Sequence, residues 1–192
     1  MKRNARQTIL DAAAPLIHSQ GFHRTGLKEI LDAAGVPKGS FYFYFKSKEE
    51  FGLALIDHYA ESMGALAASI LAEDGSPALE RLSRFFAVLC GMMAERGCAM
   101  GCPIGNLAQE VSDLSPAMQA RLSQVMATFT RRVESLLAQA AEEGGLPDTL
   151  DPAMAAGFVV DAWEGAILRS KADKHPAALE RFHDIVFNRL LR

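Results

Sequence analysis

The sequence is poor in several things at once. Of its 192 residues only three are cysteine, eight are proline and one is tryptophan, and aromatic residues make up 8%. So few prolines, set against 49% apolar and 22% charged residues, exclude a disordered chain, and three thiols cannot staple a mini-protein. Long hydrophobic runs are missing too. The longest uncharged stretches, 62–72, 85–94 and 97–109, fall short of the roughly 18 apolar residues needed to cross a bilayer, so no membrane span is expected. Met1-Lys2-Arg3 leads into polar Asn4, Arg6 and Gln7 instead of an apolar run, so no secretory signal is expected. With an odd number of cysteines (Cys90, Cys98 and Cys102), free thiols and a cytoplasmic location follow. Phosphate-binding glycine patterns are also missing. Residues 35–40 lack the Walker spacing and its lysine, and Glu180-x-x-His183 stands alone where a di-iron bundle needs two such pairs. No enzyme, cofactor or metal centre is expected.

What the chain does have is an uneven distribution of charge. Residues 1–48 hold eight Lys/Arg against three Asp/Glu, whereas residues 49–192 hold twelve against twenty. A basic head therefore precedes an acidic body, and only the head suits a polyanion.

Almost every segment carries a helical period, so the expected class is all-α. Ile9, Ala12, Ala13, Leu16 and Ile17 share one face of a first helix that ends near Gly21. Leu27, Ile30, Leu31 and Ala34 mark a short second helix, and 38–45 a third. Ser47 reads as an N-cap with Glu49 and Glu50 in the first turn, opening a longer helix. Pro77, Pro103, Pro116, Pro152 and Pro176 each open a further helix, which gives three helices in the head and six in the body. The expected domains are 1–47 and 48–192.

The sharpest local signal is 27–45: a short amphipathic helix, the turn Gly35-Val36-Pro37, and a second short helix starting Lys38-Gly39-Ser40. A helix-turn-helix needs a residue tolerant of positive φ in that turn, and Gly35 supplies it. In Phe41-Tyr42-Phe43-Tyr44-Phe45, Phe41 and Phe45 share a face and turn inward. Tyr42, Phe43 and Tyr44 cannot all follow them. Exposed aromatics in a basic segment fit DNA, with tyrosine hydroxyls on phosphates, Phe43 against a thymine methyl, and Lys46 and Lys48 as phosphate contacts. The plainer alternative is a compact three-helix core with an aromatic hinge.

The stretch Gly21-Phe22-His23-Arg24-Thr25, followed by Ala33-Ala34-Gly35-Val36-Pro37-Lys38-Gly39-Ser40-Phe41-Tyr42-Phe43-Tyr44-Phe45-Lys46-Ser47-Lys48-Glu49, resembles the DNA-binding head of TetR-family transcriptional regulators. The resemblance is dense over 5–55. It implies that Thr25, Lys38, Gly39, Ser40, Tyr42, Phe43, Tyr44 and Lys48 take the family's DNA-contact positions. It also implies a homodimer paired through 152–170 and 176–191, which reads a pseudo-palindromic double-stranded operator and acts as a repressor. Leu31 departs mildly from helix-turn-helix motifs that place a small residue four before the turn glycine.

In the body, Gly97-Cys98-Ala99-Met100-Gly101-Cys102-Pro103 and Trp163–Lys171 resemble the branch that includes repressors of N-ethylmaleimide reductase and of acrylate utilisation. Members of that branch respond to electrophiles or unsaturated acyl compounds. A thiol just before a helix start, or beside a lysine, has a depressed pKa, and the thiolate is what reacts. Cys102 is the candidate, with Lys171 as its cation by similarity. The alternative is that all three cysteines are small buried hydrophobes. The spacing of Cys98 and Cys102, with no nearby histidine, makes a poor metal site. For a reversible effector, Phe129 and Trp163 are candidate walls and Asn106, Glu110 and Glu164 candidate anchors. The rival to gene regulation is a helical small-molecule-binding or interaction protein.

Overall fold

A computed structural model describes residues 5–72 and 75–192. Lys2 and Arg3, counted above in the basic head, lie outside them. Among the described residues there are nine α-helices and no strand: α1 (Ala5–Gln20), α2 (Leu27–Ala34), α3 (Phe41–Tyr44), α4 (Lys48–Ile70), α5 (Ala78–Glu95), α6 (Pro103–Val111), α7 (Pro116–Glu142), α8 (Pro152–Asp173) and α9 (Ala177–Ile185). A 3-10 turn, Lys38–Ser40, leads into α3, and a π-helical turn, Val186–Leu190, prolongs α9. None of these helices is long and apolar enough to cross a membrane.

The helix boundaries follow local chemistry. Ser47 caps α4 by accepting the Glu50 N–H at 3.0 Å, while the Glu50 carboxylate turns back to accept the Lys46 N–H at 2.8 Å. Ser115 caps α7 through the Met118 N–H, and Asp151 caps α8 through the Met154 N–H at 2.9 Å. Pro116 and Pro152 occupy the first helical position, where a missing N–H costs nothing. Glu143, at the end of α7, accepts the Ala78 N–H that opens α5 and also binds Gln139, which in turn receives the buried Arg81 guanidinium.

The chain divides into two compact units, 1–63 with 103–125, and 64–102 with 126–192. The expected boundary at 47/48 is thus not where the units part. The first half of α4, all of α6 and the start of α7 belong with the head. In this first unit Ile9, Leu10, Ile17, Ile30, Leu31, Leu55 and Ile56 are buried together with Ile104, Leu107, Met118 and Leu122. Tyr59 on α4 donates its buried hydroxyl to the Ala14 carbonyl of α1. In the second unit the core is a ring cluster. Phe86 is fully buried, with ring centroids of Trp163 and Phe182 at 5.3 Å each and Phe187 at 5.7 Å.

Candidate nucleic-acid interface and effector site

The helix-turn-helix is set by two hydrogen bonds and one backbone angle. Gly35 ends α2 at φ 64°, ψ 30°. Its N–H donates to the Asp32 carbonyl at 3.2 Å and the Val36 N–H donates to Leu31 at 3.0 Å, the paired pattern of a Schellman turn. Pro37 then stops any continuation, and the second helix starts at Lys38.

That second helix is held by its back. Phe41 and Phe45 are buried and meet at 5.4 Å, and Phe51 of α4 packs against both, at 5.6 and 5.2 Å. With one face locked, the other is presented outward: Tyr42 is 67% exposed and Phe43 83%. Lys38, Gly39 and Lys46 are exposed, and Ser40, Tyr44 and Lys48 are half-buried. Lys48 points its ammonium 3.5 Å from the His23 carbonyl and 5.0 Å from the Phe22 ring centre. Thr25 is the exception among the expected DNA contacts. It is completely buried, and its hydroxyl donates to the Gly21 carbonyl at 2.7 Å. Its side chain closes the α1–α2 turn instead of facing outward.

The expected effector residues are shared between the two units. Asn106 and Glu110 lie on α6 in the first unit, whereas Cys102, Phe129, Trp163, Glu164 and Lys171 lie in the second. Glu110 is a correction. Its carboxylate is spent on the head, accepting the Phe22 N–H at 2.8 Å and the His23 N–H at 2.6 Å, with the His23 ring at 3.1 Å. Partners 87 and 88 residues away leave no local pattern in a sequence, so this tie was invisible there. Trp163 is buried and packs between Phe86 and Phe182, whereas Phe129 is half-buried beside the cluster, 6.3 Å from the Phe86 ring centre.

Cys102 is buried immediately before α6, and its thiol hydrogen-bonds to the Glu164 carboxyl. Burial raises the Glu164 carboxyl above its usual range, with the thiol bond opposing. Lys171 lies seven residues further along α8, hence on the same stripe as Glu164. The loop before Cys102 is strained: Cys98 and Met100 hold φ of 53° and 69°, a region that costs a side-chain-bearing residue roughly 1–2 kcal/mol. Around Met100 the chain turns tightly enough for the Gly101 N–H to reach the Ala99 carbonyl at 2.8 Å. Cys90 is a different kind of thiol. Burial and the nearby Glu180 push it up to about 11, so at neutral pH it is protonated and inert. No cluster of three or more His, Cys, Asp or Glu able to hold a metal occurs among the described residues.

The outer faces of α8 and α9 carry exposed Met154, Phe158, Leu168 and Ile185. Between them runs an apolar groove of about 310 Å³, lined by Phe158, Ala162, Gly165, Ala178 and Ile185 among others.

Residues 9–55 match the family described as bacterial regulatory proteins, tetR family, and residues 78–186 match the tetracyclin repressor-like C-terminal domain. The transcriptional regulator AcuR of Cereibacter sphaeroides is 38% identical over 93% of this chain and 81% of its own length. The transcriptional repressor NemR of Escherichia coli K12 is 32% identical over 93% of this chain and 90% of its own. The crystal structure of E. coli NemR in its reduced form superposes with a TM-score of 0.90, at 28% identity, over 98% of this chain and 97% of that one. A locked, outward-facing recognition helix and family matches in both the head and the body lead to one assignment: the chain belongs to the TetR family of bacterial transcriptional regulators, which are not enzymes.

Proposed function

We propose that the protein is a cytoplasmic, operator-binding repressor that acts as a homodimer and is released from DNA by an effector or by modification of Cys102. The observation that carries the DNA reading is the exposure of Tyr42 and Phe43, at 67% and 83%, on a helix flanked by exposed Lys38 and Lys46. Two adjacent exposed rings between lysines make an apolar patch rimmed by charge, the kind of surface that marks an interaction site. Lys38, Gly39, Ser40, Tyr42, Phe43, Tyr44, Lys46 and Lys48 make up the contact surface, with the lysines on phosphates and Phe43 on a base edge. The apolar faces of 152–170 and 176–191 pair with a second copy. Two heads then read half-sites about 34–36 Å apart or a multiple of that.

The thiol reading narrows to Cys102. Cys90 is held protonated, and Cys98 is only 1% exposed. Cys102 is 7% exposed and stands at a helix start behind a strained loop, with the Glu164 carboxyl as the group that opposes its ionisation. A covalent adduct there supplies the several kcal/mol that a near-complete population shift requires. That a relative was solved in a reduced form is consistent with thiol chemistry in this group.

The test is fluorescence anisotropy on the DNA upstream of the protein's own gene, across a salt series, before and after N-ethylmaleimide. If Lys38, Lys46 and Lys48 of both protomers neutralise phosphates, the slope of log K against log salt is roughly −5. Binding lost on alkylation but retained by Cys102→Ser establishes the thiol switch. Binding indifferent to the reagent leaves a reversible effector in its place.

A further inference from the structure

Glu110 ties α6 to the helix-turn-helix within the first unit. Its Oε2 accepts the Phe22 N–H at 2.8 Å, its Oε1 accepts the His23 N–H at 2.6 Å, and the His23 Nδ1 lies 3.1 Å from Oε1. Bonds from amides to a charged carboxylate are about twice as strong as neutral ones. The turn is shaped to receive them. Gly21 sits at φ 96°, which L side chains rarely adopt, and a Cβ there would stand 3.2 Å from Oε2, so the carboxylate would have to give by a few tenths of an ångström. Burial pushes the Glu110 carboxyl up, and the His23 and Phe22 amides and the His23 ring outweigh it, holding the group below its usual range. The carboxylate is therefore charged at neutral pH, as the latch requires.

The same turn is secured on its other sides. Thr25 closes it onto the Gly21 carbonyl and Lys48 reaches the His23 carbonyl. The chain just beyond α6 is held to α4, because Ser115 binds Glu49 and Arg121 of α7 binds Asp57 at 2.6 Å. The α1–α2 turn carries α2, and α2 carries the Gly35 turn and the recognition helix.

We propose that Glu110 is a positioning residue for operator recognition: a carboxylate latch through which α6 sets the orientation of the recognition helix. The inference rests on the DNA-binding reading above. With the latch closed, the head is preorganised. With it open, only a fraction of heads is competent, and the apparent affinity falls by that fraction. Because α6 starts at the residue after Cys102, a displacement of the thiol segment reaches the latch along a single nine-residue helix.

The test uses the full chain and Glu110→Gln, which keeps the shape but sets an NH2 group against one of the two amide donors. The exposed Glu142→Gln on α7 is the charge-matched control. Operator affinity is expected to fall roughly tenfold in Glu110→Gln, with the salt slope unchanged because no phosphate contact is lost. Amide hydrogen exchange is expected to quicken at Phe22 and His23 while Ile30, bonded to the Gly26 carbonyl, keeps its protection. Wild-type affinity in Glu110→Gln overturns the proposal. So does a loss of protection throughout α2, which would make Glu110 a general stability residue. Should the wild-type protein bind no operator at all, the DNA reading falls by itself, and the exchange rates still decide the latch: unchanged rates at Phe22 and His23 refute it.

Discussion

Two glycines four residues apart, Gly35 and Gly39, separate stability from recognition. Gly35 adopts φ 64°, and a Cβ built there meets nothing within 4 Å. The whole cost of Gly35→Ala is therefore backbone conformation. An alanine in the left-handed region loses about 1–2 kcal/mol. The smaller entropy of the unfolded alanine chain returns about 0.4–1 kcal/mol. The net is a destabilisation of about 1 kcal/mol, or roughly 2–4 °C in Tm for a chain of this length. Because the Schellman bonds survive if the residue keeps its angle, operator affinity well below Tm should change by less than about twofold. Gly39 is the opposite case. It is exposed, has no positive φ, and also has open space around a Cβ. Gly39→Ala should leave Tm unchanged or slightly raised, yet weaken operator binding by about tenfold, the scale of one spoiled contact in a site. Thermal unfolding at one fixed protein concentration, paired with anisotropy, checks both. The reasoning is refuted if Gly35→Ala loses binding with no loss of Tm, or if Gly39→Ala loses Tm.

Other perturbations have clear signs. Phe43→Ala should leave Tm unchanged, since the ring is 83% exposed, and lower operator affinity in anisotropy. Phe86→Ala removes the ring shared by Trp163, Phe182 and Phe187 and should cost about 3–5 kcal/mol in chemical denaturation. Burial raises the folded-state pKa of Glu164, so the folded protein binds the extra proton and stability declines as pH rises from the unfolded value through the folded one. Glu164→Gln should therefore be more stable than wild type at neutral pH and show a flatter stability profile; a wild-type profile in the variant would contradict this. The same substitution removes a negative charge beside the Cys102 thiol, so its alkylation by N-ethylmaleimide should extend to lower pH.

Most of the helices were legible because their ends are punctuated. Ser47, Ser115 and Asp151 cap as their residue types suggest, proline follows at 116 and 152, and Gly35 ends α2 in the conformation that only glycine adopts cheaply. The inward pairing of Phe41 and Phe45 also followed from spacing alone. What stayed hidden depends on tertiary contact. Thr25 looked like a contact by its place in the motif, but its hydroxyl is consumed four residues back by Gly21. Glu110 carried no local mark of its bond to residues nearly ninety positions away. The left-handed angles at Cys98 and Met100 are imposed by the fold, and no side-chain preference announces them. The compact units cut across the order of the chain for a similar reason, since Phe51 is contiguous with the body in sequence but completes the aromatic lock of the recognition helix.

That last arrangement bears on how such a protein can be recombined. The DNA-reading half is assembled from two separate stretches of chain, 1–63 and 103–125, and each crossing point at 63/64 and 125/126 falls inside a helix. A chimera that grafts a foreign sensor after residue 47 discards Phe51 and the Glu110 latch together. A graft that preserves recognition must carry both stretches, exchange only what lies between and after them, and match helical phase at α4 and α7. The two units are thus interleaved along the gene, and a single crossover near the end of the motif parts the recognition helix from Phe51 and Glu110.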